Sequence, residues 1–197
     1  MSKISNIAVV VLAAGSSSRL GQPKQLVDFR GKNLLQHHID VLNSKEFGLK
    51  LLVLGANKEE IEPKINPHGF TIVENSEWEE GIASSIRAGV KAVQEIPNIE
   101  RILFTVCDQP YINKQILDRL VDASNAGIVA SSYGSRLGVP AMFGTSYFQE
   151  LLALKGDEGA KRIILNEMDK VTQIKFPHGE FDIDTPADLD ELNKDKK

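Results

Sequence analysis

Eight apolar residues in a row, Ile7-Ala8-Val9-Val10-Val11-Leu12-Ala13-Ala14, run straight into a loop of glycine, serine, arginine and lysine. A run with neither charge nor alternation suits a strand covered on both faces, which is the central position of a parallel sheet. It is far short of the ~18 residues that span a bilayer. The single lysine before it and the polar loop directly after it argue against a secretory leader. Residues 7–13 are therefore read as the first, buried strand.

Downstream, apolar strand-like runs at 50–54, 70–74, 101–106, 128–132, 139–143, 171–176 and 181–183 alternate with helical periodicity at 34–43, 58–64, 81–93, 116–123, 146–154 and 159–167. This alternation predicts an α/β fold around a mostly parallel central sheet. A last helix should run over 186–192, with Thr185 at its N-cap and Pro186 as its first residue. Residues 193–197 read as a frayed tail. No stretch rich in proline, glycine or serine divides the 197 residues, so one domain over 1–197 is expected. A net charge of −4 provides no global field for nucleic acid or an anionic membrane. Cys107 is the only cysteine, which rules out an intrachain disulfide framework and fits a cytoplasmic protein.

Three segments could carry chemistry. Residues 12–24 combine Leu12, Ala13, Ala14, Gly15 and Ser17, which let backbone N–H groups approach a polyphosphate, with the fixed charges of Arg19 and Lys24. The spacing matches neither a P-loop nor a dinucleotide fingerprint. Asp108 follows an apolar strand and Asp184 a short one, and the carboxyl ends of strands are where open α/β sheets bind ligands. Two such carboxylates plus phosphate oxygens suit Mg²⁺. Asp184 has an alternative reading as a helix-start carboxylate, and Asp182 as the ligand in its place. The third segment offers Trp78, Gly81 and Ser85 to a base or sugar, although Trp78 equally suits ordinary packing. His37, His38 and His178 show no ligand pair and receive no role. Cys107, beside a carboxylate, reads as a small residue closing a strand and not as a nucleophile.

Taken together, Leu12-Ala13-Ala14-Gly15 with Arg19, Gly21, Pro23 and Lys24, Gly81 with Ser85, Cys107-Asp108-Gln109-Pro110, Gly138-Val139-Pro140-Ala141-Met142-Phe143, Gly156-Asp157-Glu158-Gly159-Ala160-Lys161 and Asp182-Ile183-Asp184-Thr185-Pro186 resemble the molybdenum cofactor cytidylyltransferase branch of the nucleotidyltransferases. The resemblance implies a three-layer, Rossmann-like nucleotidyltransferase fold. It implies transfer of a cytidylyl group from CTP to the terminal phosphate of molybdopterin, with release of pyrophosphate. It further implies a triphosphate held by residues 12–24, a base near Ala13 to Gly15 and Ser85, and Mg²⁺ on Asp108 and Asp184. Catalysis would fall to Lys24, Arg19 and Asp108, and a molybdoenzyme would be the client. Guanylyltransferase relatives carry glycine where this chain has Ala14, which points to CTP. The alternatives are a cytidylyl- or uridylyltransferase acting on a sugar or polyol phosphate, a guanylyltransferase of the same cofactor, and a carrier that binds without catalysis. Residues 133–143 and 156–162 are candidates for the acceptor pocket.

Overall fold

The computed structural model describes residues 4–123 and 127–194. Strand β1 (Ile7–Leu12) is buried at all six positions and lies in the interior of a seven-stranded sheet. It pairs in parallel with β4 (Leu49–Leu54) on one side and β6 (Arg101–Val106) on the other. Beyond β4 comes β5 (Thr71–Glu74), also parallel. Beyond β6 the direction reverses: β8 (Arg136–Gly144) runs antiparallel to β6 and to β7 (Ile128–Tyr133), and β9 (Val171–Lys175) closes the sheet parallel to β7. The order is β5-β4-β1-β6-β8-β7-β9.

Alternate side chains of β1 divide between two cores, as a strand's period of two requires. Ala8, Val10 and Leu12 pack under α3 (Ile82–Gln94), where Ile86, Val90 and Val93 form the facing stripe. Ile7, Val9 and Val11 pack under α1 (Leu34–Leu42) and α4 (Lys114–Asp122). Gly89 lets α3 approach the sheet, since a Cβ there would stand 2.7 Å from Val10 Cγ1. The order of layers is thus helix, sheet, helix. Asn33 and Asn113 cap α1 and α4, each side chain accepting the backbone N–H three residues on. The short α2 (Lys58–Ile61), α5 (Phe148–Leu152) and α6 (Lys161–Asn166) connect the remaining strands.

Three local expectations need revision. Residues 181–183 are not a strand, because a lone backbone link, Ile183 N–H to the Asp108 carbonyl at 3.0 Å, replaces a ladder. A hairpin of two-residue strands, β2 (Asp28–Phe29) and β3 (Lys32–Asn33), turns on Arg30 and Gly31 where none was expected. The last helix, α7 (Pro186–Lys194), runs past Leu192 into the expected tail, of which residues 195–197 lie outside the described residues.

Candidate active site

Parallel strands β5, β4, β1 and β6 end at one edge of the sheet, and the segments that follow β1, β5 and β6 line one cavity of about 420 Å³. From the end of β1, residues Leu12, Ala13, Ala14 and Gly15 line it, followed by Arg19 and Lys24. The loop is held by a residue that sequence reasoning missed. Gln25 is fully buried, and its Nε2 donates to the carbonyls of Ala13 at 2.7 Å and Gly15 at 3.2 Å. A glutamine buried in a turn is legible only once its partners are known.

Ser17 does not line the cavity. Its φ of +57° turns the side chain back into the loop, where the hydroxyl accepts the Lys24 N–H at 3.0 Å and donates to Gln25 Oε1 at 3.5 Å. In this arrangement Ser17 shapes the loop and leaves the cavity to its neighbours.

On the opposite wall stand Trp78, Gly81, Ile82 and Ser85, at the entry to α3. Trp78 both lines the cavity and packs, since a Cβ on Gly55 would come within 2.7 Å of its Cβ and 3.0 Å of that of Ala14. The Ala14 methyl is therefore wedged beside the end of β4. Asn75, at the end of β5, was also missed: its Nδ2 donates to Ser84 Oγ at 2.8 Å and Ser85 Oγ at 3.0 Å, fixing both hydroxyls. Gly81, at φ +119°, has no room for a side chain, because Asp157 Oδ1 and the Gly156 carbonyl would each lie 2.5 Å from a Cβ. The Glu80 carboxylate pairs with Arg87 and accepts Gly156 N–H at 3.1 Å, while Arg87 donates to the Leu154 carbonyl at 2.9 Å. Through these bonds Asp157 is brought to the cavity wall.

At the floor, Lys24 Nζ stands between two carboxylates, 2.7 Å from Asp108 Oδ2 and 2.9 Å from Asp184 Oδ1. Asp184 reaches this place because the neighbouring Ile183 N–H bonds the Asp108 carbonyl, and because Asp188 holds the backbone N–H groups of Asp184 and Thr185 at 3.0 and 2.7 Å. The position before α7 and the convergence on Lys24 thus belong to one residue, so Asp184 satisfies both of its readings geometrically. Burial alone would lower the pKa of Lys24, but Asp108, Cys107 and the hydrogen bonds to Asp108 and Asp184 hold it well above the ordinary lysine value. Asp184, which burial would raise, is held below the usual carboxylate range by Lys24 and Arg19. Arg19 reaches Asp184 Oδ2 at 2.8 Å from a side chain 71% exposed, so water screens that pair. Asp182 is not part of this contact. Loss of hydration at its carboxyl, then the charges of Asp108 and Asp184, push its pKa up to about 7. Burial pushes the Cys107 thiol up to about 12, which removes it as a nucleophile at neutral pH.

The donor set fits a divalent cation. Asp108 Oδ1 is buried without a hydrogen-bond partner while Oδ2 and Asp184 Oδ1 share one positive charge. Among the described residues no group of three or more His, Cys, Asp or Glu gathers to cage a metal. A divalent cation held by only one or two carboxylates takes its other ligands from phosphates and water.

A parallel α/β sheet whose strand ends converge on a small-residue loop, a lysine and two aspartates defines a nucleotidyltransferase. The family model described as the MobA-like NTP transferase domain matches residues 9–171, and the chain belongs to that family. It is 25% identical to the molybdenum cofactor cytidylyltransferase of Escherichia coli (strain K12), over 94% of this chain and 95% of that protein. It is 32% identical to the nicotine blue oxidoreductase of Paenarthrobacter nicotinovorans over 66% of this chain, a match that spans only 63% of that relative's length. Among solved structures, Rv0371c from Mycobacterium tuberculosis H37Rv superposes with a TM-score of 0.82 at 30% identity, covering 96% of this chain and 97% of that one. A structure of Rv0371c in complex with manganese gives 0.79 at 28% identity, covering 96% of this chain and 98% of that one. Among the described residues no helix is long and apolar enough to cross a membrane.

Proposed function

We propose that the protein transfers the cytidylyl group of CTP to the terminal phosphate of molybdopterin, in the cytoplasm, with a molybdoenzyme as client. The observation that carries this reading is the Lys24 ammonium set between Asp108 and Asp184 beneath a loop of small residues. The near full-length likeness to the E. coli cytidylyltransferase supports the choice of base and acceptor.

In the reaction an oxygen of the acceptor phosphate forms a bond to the α-phosphorus of CTP. The bond from that phosphorus to the oxygen bridging to the β-phosphate breaks, and pyrophosphate carries away the electron pair. Both reactants are anions, so the protein's task is to position them in line and neutralise them. The loop from Ala14 to Gly15 receives the triphosphate, the Ala13 N–H being held by the Val53 carbonyl at 3.0 Å, and the exposed Arg19 steadies the departing pyrophosphate. Lys24 stabilises charge gathering on the α-phosphate. Asp108 and Asp184 would hold Mg²⁺, for which the manganese complex of Rv0371c is a precedent for a divalent ion. The bound ion would supply further neutralisation of the reacting phosphates. Ser85 and the walls at Trp78 and Gly81 receive the base and ribose.

The test is pyrophosphate release with each of the four nucleoside triphosphates, Mg²⁺ and a panel of acceptors. Turnover is expected with CTP and molybdopterin. Turnover confined to polyol or sugar phosphates, or to GTP, overturns the substrate assignment.

A further inference from the structure

Across the Asp108 loop from the nucleotide cavity, on the α1 and α4 face of the sheet, lies a second cavity of about 470 Å³. Arg30, His37, Lys114, Arg119, Lys175 and His178 line it, and no aspartate or glutamate does. In a chain of net charge −4, this segregation of positive charge stands out. None of Arg30, Lys114, Arg119 or Lys175 takes part in an ion pair among the described residues.

The fold gives two of these cations fixed places. Arg119 Nη1 donates to the Lys175 carbonyl at 2.7 Å, and the Arg30 guanidinium lies 4.9 Å from the centre of the Phe29 ring. Strands β6 and β9 are both parallel to β7's direction relative to β8, so both end at this edge, and α1 and α4 begin there with their positive amino ends. Tyr111 and His178 form an aromatic wall, their ring centroids 5.6 Å apart. The cavity also touches the catalytic loop, for the His37 ring bonds the Pro110 backbone, two residues beyond Asp108.

We propose that this cavity binds a phosphorylated small molecule bearing a flat ring, separately from the nucleotide. The phosphate meets Lys114, Arg119 and Lys175, and the ring lies against Tyr111 and His178. The volume is that of a small-ligand site, and guanidinium with ammonium groups is the donor set that recognises phosphate oxygens. A nucleic-acid strand is a poor match, because the positive charge is confined to one concave site and does not follow a track.

Phenyl phosphate is the probe, with binding measured by calorimetry on the parent protein in the absence and presence of saturating CTP. Trp78, the only tryptophan, lines the nucleotide cavity, so its fluorescence reports that cavity alone. Phenyl phosphate is expected to bind equally well in both conditions and to leave Trp78 fluorescence unchanged. Inorganic phosphate should bind more weakly and phenol not measurably. The double variant Lys114→Glu with Lys175→Glu alters two exposed side chains outside the catalytic machinery, so its CTP turnover should match the parent. Its affinity for phenyl phosphate should fall about tenfold or more, the scale of losing charged hydrogen bonds. Displacement by CTP, quenching of Trp78 or an unchanged affinity in the double variant would each overturn the proposal.

Discussion

The sheet has two unlike parts. In β5-β4-β1-β6 all strands run one way, and their carboxyl ends supply Asn75, Gly55, the 12–24 loop and Asp108 to a single edge. In β8-β7-β9, β8 is reversed, so its carboxyl end at Gly144 pairs with Arg101 at the far edge, away from the site. No residue of these three strands lines the nucleotide cavity. Only β8 is turned away by its direction; β7 and β9 end at the same edge as β6, but β8 displaces them across the sheet and neither lines this cavity. The later half contributes through two loops sent back across the sheet end, carrying Asp157 and Asp184.

The sharpest test of this division is the pair of aspartates, one from each part. Asp108→Asn keeps the shape and loses the charge, and should cost several kcal/mol of transition-state stabilisation while CTP binding changes far less. Asp184→Asn should behave alike, measured as kcat and as CTP affinity by Trp78 fluorescence. If Asp184→Asn turned over near the parent rate, the later half would have no share in the chemistry. Lys24→Ala, at the junction, should lower kcat and kcat/KM together by ~10²–10³, as loss of a preset charge does. A rise in KM alone would make Lys24 a binding residue.

Under the proposed function, base choice rests mainly on residues of the parallel half, Ala14, Trp78 and Ser85. CTP should be preferred over GTP by ~10 to 200-fold, the range that pocket sterics provide. Ala14→Gly frees the space beside Gly55 and Trp78 and should narrow the ratio of kcat/KM values. A parent that favours GTP would remove the base assignment and leave nucleotidyl transfer standing.

A smaller effect is expected from acid. His38, buried in the parallel half with Nε2 3.0 Å from Thr105 Oγ1, has its pKa lowered by burial first and by His37 second, from 6.5 to about 3. The folded protein therefore resists protonation while the unfolded chain accepts it. Stability contributed by neutral His38 is present above pH 6.5 and is lost as pH falls from there toward 3. Between pH 7 and 5 the loss should be about 2 kcal/mol, read from urea unfolding, and His38→Leu should flatten that slope. The smallest change is Asp188→Ala, which removes a cap from α7 and should cost about 1 kcal/mol of stability. Because Asp188 also holds the Asp184 N–H, kcat should fall as well, and an unchanged kcat would show that Asp184 keeps its place without that bond.

The parallel half is also the part that its sequence disclosed best. Strand β6 spans Arg101–Val106, where an apolar run bounded by a proline turn had placed it, because strands buried on both faces need no context to be recognised. The reversal of β8 was not legible, since an apolar strand reads the same in either direction. Two-residue strands such as β2 and β3 are too short to show a period. At the site, the small residues and charges of the 12–24 loop stood out by type. Gln25 and Asn75 did not, because their work lies in partners 9 to 12 positions away along the chain. Asp157 was read only within the 156–161 motif and the acceptor-pocket candidate, because its place at this cavity rests on the Gly156 bond to Glu80, 76 positions away.

The bond from Ile183 N–H to the Asp108 carbonyl bears on synthesis as well as on geometry. Domains begin to organise from the amino end while the ribosome is still adding residues. A nascent chain halted near residue 180 already holds the nucleotide loop, Lys24 and Asp108, yet lacks the partner that draws the second carboxylate into place. Translation must pass Asp184 before the two carboxylates reach each other, and Ile183 and Leu192, which pack with Leu20, Val27 and Phe29 beside the nucleotide loop, arrive with it.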